Sequence, residues 1–133
     1  MEREARIDIN SATDIVTARQ KGRGLAMELG FEGSDLTVIA TAISEIARNI
    51  LDHAERGQIV LVAIHHGNKH GLAIIAQDQG PGIPDVRQAM QYGYSSRKGL
   101  GVGLPGAKWL MDEFDIHTKV GKGTVVTMKK WLH

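Results

Sequence analysis

A chain of 133 residues, 42% apolar and 23% charged, reads as one domain (residues 1–133) with enough apolar mass to bury a core. A net charge of +1 with interspersed signs and only 5% aromatic residues exclude the basic stripe and stacking platforms of a nucleic-acid binder. The absence of cysteine rules out disulfides and thiolate chemistry, and with no apolar leader or membrane-length run a cytoplasmic, membrane-free protein is expected.

Residues 5–9, ARIDI, alternate as a short strand. Ser11, followed three residues later by Asp14, has the form of a capping box and opens a helix that stops at Gly30. Gly22 and Gly24 fall inside it. Each weakens a helix by about 1 kcal/mol relative to alanine, and close packing is the only account of them. Ser34 or Asp35 caps a stronger second helix over residues 35–54, where Leu36, Ile39, Ile43, Ile46, Ala47 and Ile50 recur at helical spacing. Strands over 58–66 and 71–78 flank Gly67, Asn68 and Lys69 as a hairpin. Pro84 starts a short helix over 84–90. A polar, glycine-bearing stretch, 91–103, leads into a third main helix over 104–113. Strands over 114–120 and 124–132 then form a last hairpin.

This order of elements, with strands arriving as hairpins, predicts the α+β class: a two-layer α/β sandwich of a mixed, mostly antiparallel sheet with helices on one face.

Several groups of residues carry possible chemistry. Residues 101–106, GVGLPG, fit G-x-G-x-x-G, but no strand precedes them and no Ser or Thr follows Lys108, so neither a dinucleotide turn nor a P-loop is formed. What remains is a glycine-rich segment running into a helix N-terminus, either an anion site or a plain flexible loop. On the second helix, about 100° per residue puts Glu45, Asn49 and Asp52 together near Thr41, opposite the apolar stripe. A solvated helix face gives the same pattern. Asn49 is the odd member: a middling helix former whose amide oxygen suits magnesium, beside a Glu45 able to take a proton from a hydroxyl. Asp78 ends an apolar strand before Gly80, Pro81 and Gly82. Its carboxylate needs a donor there, either the N–H groups of the turn or an amino group such as adenine's. Gly121, Gly123 and Thr124 form a third glycine cluster, by itself an ordinary hairpin turn. Among the histidines, His65 and His66 point to opposite faces of a strand, while His66 and His70 flank the turn and can meet. No third ligand for a structural zinc is apparent.

Taken together these segments resemble the GHKL (Bergerat) ATP-binding fold shared by gyrase, Hsp90, histidine kinases and MutL. In that family's order stand E-x-x-x-N at Glu45 and Asn49, D-x-G-x-G at Asp78, Gly80 and Gly82, lid glycines at Gly99, Gly101 and Gly103, and G-x-G-T ending at Thr124. The likeness is closer to the small anti-sigma-factor-type serine kinases, and closer still to the switch kinases of the stressosome. It is carried by DIVTARQKGR, TAISEIARNI, AQDQGPGIPD, GLGVGLPGAKWLMDEF, the terminal KWL and a short lid, YGYSSRKGLGVGL.

The resemblance implies ATP and Mg2+ as cofactors. Asp78 would read the adenine amino group with Thr124 nearby, and Asp52, Gly80, Gly82 and Ile83 would line the nucleotide site. Asn49 would hold Mg2+, and Glu45 would be the general base. The lid residues Arg97, Lys98, Gly99, Leu100, Gly101, Val102, Gly103 and Leu104 would wrap the phosphates, with Arg97 and Lys98 as phosphate partners. The implied activity is transfer of the ATP γ-phosphate to serine or threonine of STAS-domain substrate proteins (RsbS- and RsbR-like). Partner switching would then activate a PP2C-type phosphatase or another output protein in a stress response. The resemblance also allows an anti-sigma factor that holds a sigma factor, or an ATP-gated binding module without transferase activity. The latter has no use for a base at Glu45.

Overall fold

A computed structural model of the chain describes residues 4–83, 90 and 103–132. Five strands form one sheet: β1 (Glu4–Ile9), β2 (Gly57–His66), β3 (Lys69–Asp78), β4 (Glu113–Lys119) and β5 (Gly123–Trp131). The helices are α1 (Ala12–Leu29), α2 (Ser34–Ala54) and α3 (Gly103–Leu110). The strand order is β1-β2-β3-β5-β4, and every pairing among the described residues is antiparallel. The element order read from the sequence holds. The short helix expected over 84–90 falls outside the described residues except for Met90, and residues 91–102 fall outside them altogether.

Register explains where the core sits. Ile59 pairs with Ala76, Leu61 with Ile74, and Ile74 with Met128, so these side chains share one face of the sheet. The α2 stripe of Ile39, Ile43, Ile46 and Ile50 joins them in one buried cluster. Helix α1 crosses α2 closely enough that a Cβ on Gly22 would lie 2.0 Å from Ile43 Cδ1, which is the close packing that its glycine requires. Nothing among the described residues explains Gly24, which has open space around it there.

The ends of the elements confirm some expectations and correct others. The Asp14 carboxylate accepts the N–H groups of Asn10 at 2.8 Å and Ser11 at 3.1 Å, and α1 stops at Gly30. Neither Ser34 nor Asp35 caps α2. The N-cap is Gly33, because the chain enters the helix at φ +61°, a conformation Ser and Asp rarely adopt. The β2–β3 turn holds two residues, Gly67 and Asn68, since Lys69 already pairs with His66. His70 therefore faces His65, not His66, with ring centroids 6.2 Å apart. No group of three metal-ligating side chains occurs among the described residues.

Candidate functional site

The acidic side of α2 is not solvated as a lone helix would be. Glu45 is only 8% exposed, Ser44 is buried with its hydroxyl donating to the Ala40 carbonyl at 2.9 Å, and Asn49 and Asp52 are half-buried. The cause is α3, which packs against α2 through its own buried Leu104, Pro105, Gly106 and Ala107. Periodicity within one helix cannot register a second helix laid across its polar side.

Both oxygens of Glu45 are engaged. Oε2 accepts the N–H of Gly103, the first residue of α3, at 2.9 Å, and Oε1 lies 3.1 Å from Arg48 Nη1. Burial forces this arrangement, because a carboxylate removed from water needs donors or a countercharge. Two turns further on, Oδ2 of Asp52 is buried with no hydrogen-bond partner among the described residues. An orphaned carboxylate oxygen in such a place is costly unless something else occupies it. Asp52 and the neighbouring Asn49 offer hard oxygen donors, the set that suits a magnesium ion shared with phosphates.

The other end of the site lies where α2 finishes. Asp78 closes β3, and its Oδ1 accepts the Gly80 N–H at 2.9 Å, so the carboxylate does cap its own turn. Thr124 is its direct partner on β5 and is buried. Thr118 ties these pieces together. Its hydroxyl accepts the Ile83 N–H at 2.8 Å, lies 2.8 Å from the Thr124 hydroxyl and donates to the Gly123 carbonyl at 3.2 Å.

The glycines here serve close approach between backbones. A Cβ on Gly80 would lie 2.5 Å from Ala54 Cβ, and one on Gly82 would lie 2.6 Å from the Lys119 carbonyl oxygen. Gly123, at φ +124°, would place a Cβ 2.1 Å from the Asp78 carbonyl oxygen. The Gly121 N–H also donates to the Pro81 carbonyl at 2.8 Å. The two glycine turns are thus locked to each other, and the first is locked to the end of α2.

At a rise of 1.5 Å per residue, Glu45 stands about 13 Å along α2 from Ala54. A nucleoside triphosphate lying along the helix would have Asp78 and Thr124 at one end and Glu45 with the start of α3 at the other. Ile83 and Leu104 are present but buried in the core, so their side chains pack beneath the site. Arg97, Lys98, Gly99, Leu100, Gly101 and Val102 lie outside the described residues. A separate cavity of about 470 Å³, lined by Arg56, Gly57, Gln58, Gln77, Asp78, Gln79 and Val125, shares Asp78 with these residues but takes in none of α2. Sequence reasoning missed Arg48 and Thr118. Arg48 carried a signal, standing three residues after a candidate base. Thr118 carried none, being one polar position in an alternating strand.

The comparison with known families identifies the class of domain that carries this buried acid, turn-capping aspartate and pair of interlocked glycine turns. The model described as "Histidine kinase-like ATPase domain" matches residues 10–130. The chain belongs to this ATP-using family. Over 132 residues, 99% of each chain, it is 51% identical to Serine/threonine-protein kinase RsbT of Bacillus subtilis (strain 168). It is 31% identical over 121 residues to Anti-sigma F factor of a Thermoanaerobacter species, covering 86% of this chain and 83% of that one. The Pasteuria penetrans Anti-sigma F factor is 36% identical over 105 residues, 74% and 69% of the two chains. The likeness to RsbT-type kinases read from the sequence motifs therefore stands. No helix among the described residues is long and apolar enough to cross a membrane.

Proposed function

We propose that the chain is an ATP-dependent protein serine/threonine kinase that phosphorylates STAS-domain partner proteins in a partner-switching stress module. On release from that complex it activates a PP2C-type phosphatase or another output protein. One observation carries the reading: Glu45 is a buried carboxylate directed at the first N–H of α3, one helical turn before Asn49. A pure nucleotide binder has no need of a buried acid there, whereas phosphoryl transfer to a hydroxyl does.

In this reading Asp78 accepts the adenine amino group with its free oxygen while the other keeps the turn closed. Thr118 and Thr124 hold that end of the sheet in place. Asn49 and Asp52 would hold Mg2+, which when bound would supply charge neutralisation for the transfer. Glu45 takes the proton of the incoming serine or threonine hydroxyl. That oxygen bonds to the γ-phosphorus as the bond from phosphorus to the β–γ bridging oxygen breaks, and ADP leaves with the electron pair. Arg97 and Lys98 are assigned to the phosphates.

The test is transfer from γ-labelled ATP, with magnesium, to a STAS-domain protein of the same genome. Glu45→Gln should lower transfer by about 10²–10⁴-fold with ATP binding retained. Asn49→Ala should be at least as damaging, because phosphoryl transfer depends chiefly on positioning and charge neutralisation. Nucleotide binding without label on any STAS protein sinks the kinase reading, and capture of a sigma factor in its place would establish an anti-sigma role.

A further inference from the structure

Arg48 stands one turn beyond Glu45 on α2, and their side chains are 28% and 8% exposed. Its guanidinium meets one carboxylate oxygen at 3.1 Å while the Gly103 N–H meets the other at 2.9 Å. A single contact would leave the carboxylate free to rotate about it. Contacts on both oxygens fix tilt and rotation together, and the arginine also supplies the countercharge that a nearly dry carboxylate requires. An ammonium in the same place would supply charge but little direction.

We propose that Arg48 is a positioning residue for the transfer reaction, acting through Glu45 and not on the nucleotide or the acceptor. The inference rests on the kinase reading and adds a residue that the E-x-x-x-N spacing leaves without a role. Its guanidinium is already committed to Glu45, so its influence on the reaction runs through the aim of that carboxylate.

The deciding experiment is a four-way comparison of transfer to the STAS protein by the wild type, Arg48→Ala, Glu45→Gln and the double variant. Arg48→Ala is expected to lower kcat by about 10- to 100-fold, the scale of an ångström-sized misplacement, with the KM for ATP within about twofold of wild type. Arg48→Lys should recover part of the rate, and free guanidinium ion should recover part of it for Arg48→Ala. In the Glu45→Gln background Arg48→Ala should change nothing further, since its path of action is already cut. A further tenfold loss in that background, or a wild-type rate for Arg48→Ala alone, overturns the proposal and leaves the base reading intact. A wild-type rate for Glu45→Gln removes the base reading and this proposal with it. Arg48→Gln, which keeps a polar side chain at the helix surface, carries the same comparison with less risk to folding.

Discussion

Replacing Gly123 by alanine tests the joint between the two glycine turns. The residue sits at φ +124°, and its new Cβ would lie 2.1 Å from the Asp78 carbonyl oxygen and 2.9 Å from both the Asp78 carbonyl carbon and Gln79 Cα. All three are backbone atoms, so no rotamer change relieves the contact. Strands β3 and β5 must part at the Asp78–Thr124 pair. Gly121 is the matched control. It too has a positive φ, +81°, but among the described residues nothing lies within 4 Å of its Cβ position. Gly121→Ala should therefore lose only the conformational cost of about 1–2 kcal/mol. Gly123→Ala should lose that and about 1–3 kcal/mol more for overpacking. Urea unfolding followed by circular dichroism measures the gap directly, and heating should show it as a Tm difference on the order of 3–10 °C. Saturating ATP should raise the Tm of Gly121→Ala but barely that of Gly123→Ala, where the proposed adenine end would be displaced. Equal midpoints for the two variants would refute the claim that the turns are locked together.

Other perturbations separate fold from function. Asp78→Asn keeps an oxygen for the Gly80 N–H, so stability should shift by less than about 1 kcal/mol. In the proposed site its NH2 group would face the adenine amino group, so calorimetry should show ATP binding lost. Asp52→Ala removes the orphaned oxygen. Without nucleotide the variant should be as stable as wild type, or more so by up to about 3 kcal/mol, yet bind magnesium-ATP more weakly. Gly24→Ala should stabilise by about 1 kcal/mol. At Gly22 the same gain is offset by about 1–3 kcal/mol of overpacking against Ile43, so paired urea melts should rank Gly24→Ala well above Gly22→Ala.

The sheet was legible because its signals are local. Hairpins announce antiparallel neighbours, the alternation of β1 shows which of its faces is buried, and the continuous apolar runs of β2 and β3 mark them as interior strands. The glycine motifs were legible as motifs, but their physical reason was not. Gly80, Gly82 and Gly123 are required by Ala54, Lys119 and Asp78 lying against them, and those neighbours come from other parts of the chain. Glu45 was found by its spacing from Asn49, while its burial depended on α3, which begins far along the sequence. Small shifts at element ends, such as the two-residue turn at Gly67 and Asn68, escaped because one residue of register leaves no mark in composition.

The hydrogen bond from Gly103 to Glu45 spans 58 residues of chain, and the Asp78–Thr124 pairing joins strands separated by α3 and β4. Neither end of the proposed nucleotide site can form from a local fragment. A bound nucleotide would therefore act as a reversible cross-link between distant stretches, binding only the complete fold. At one hundred times its dissociation constant it would stabilise the whole domain by about 2.7 kcal/mol. Amide hydrogen exchange should then slow in concert across α2, α3, β3 and β5, and not merely at the residues in contact with the ligand.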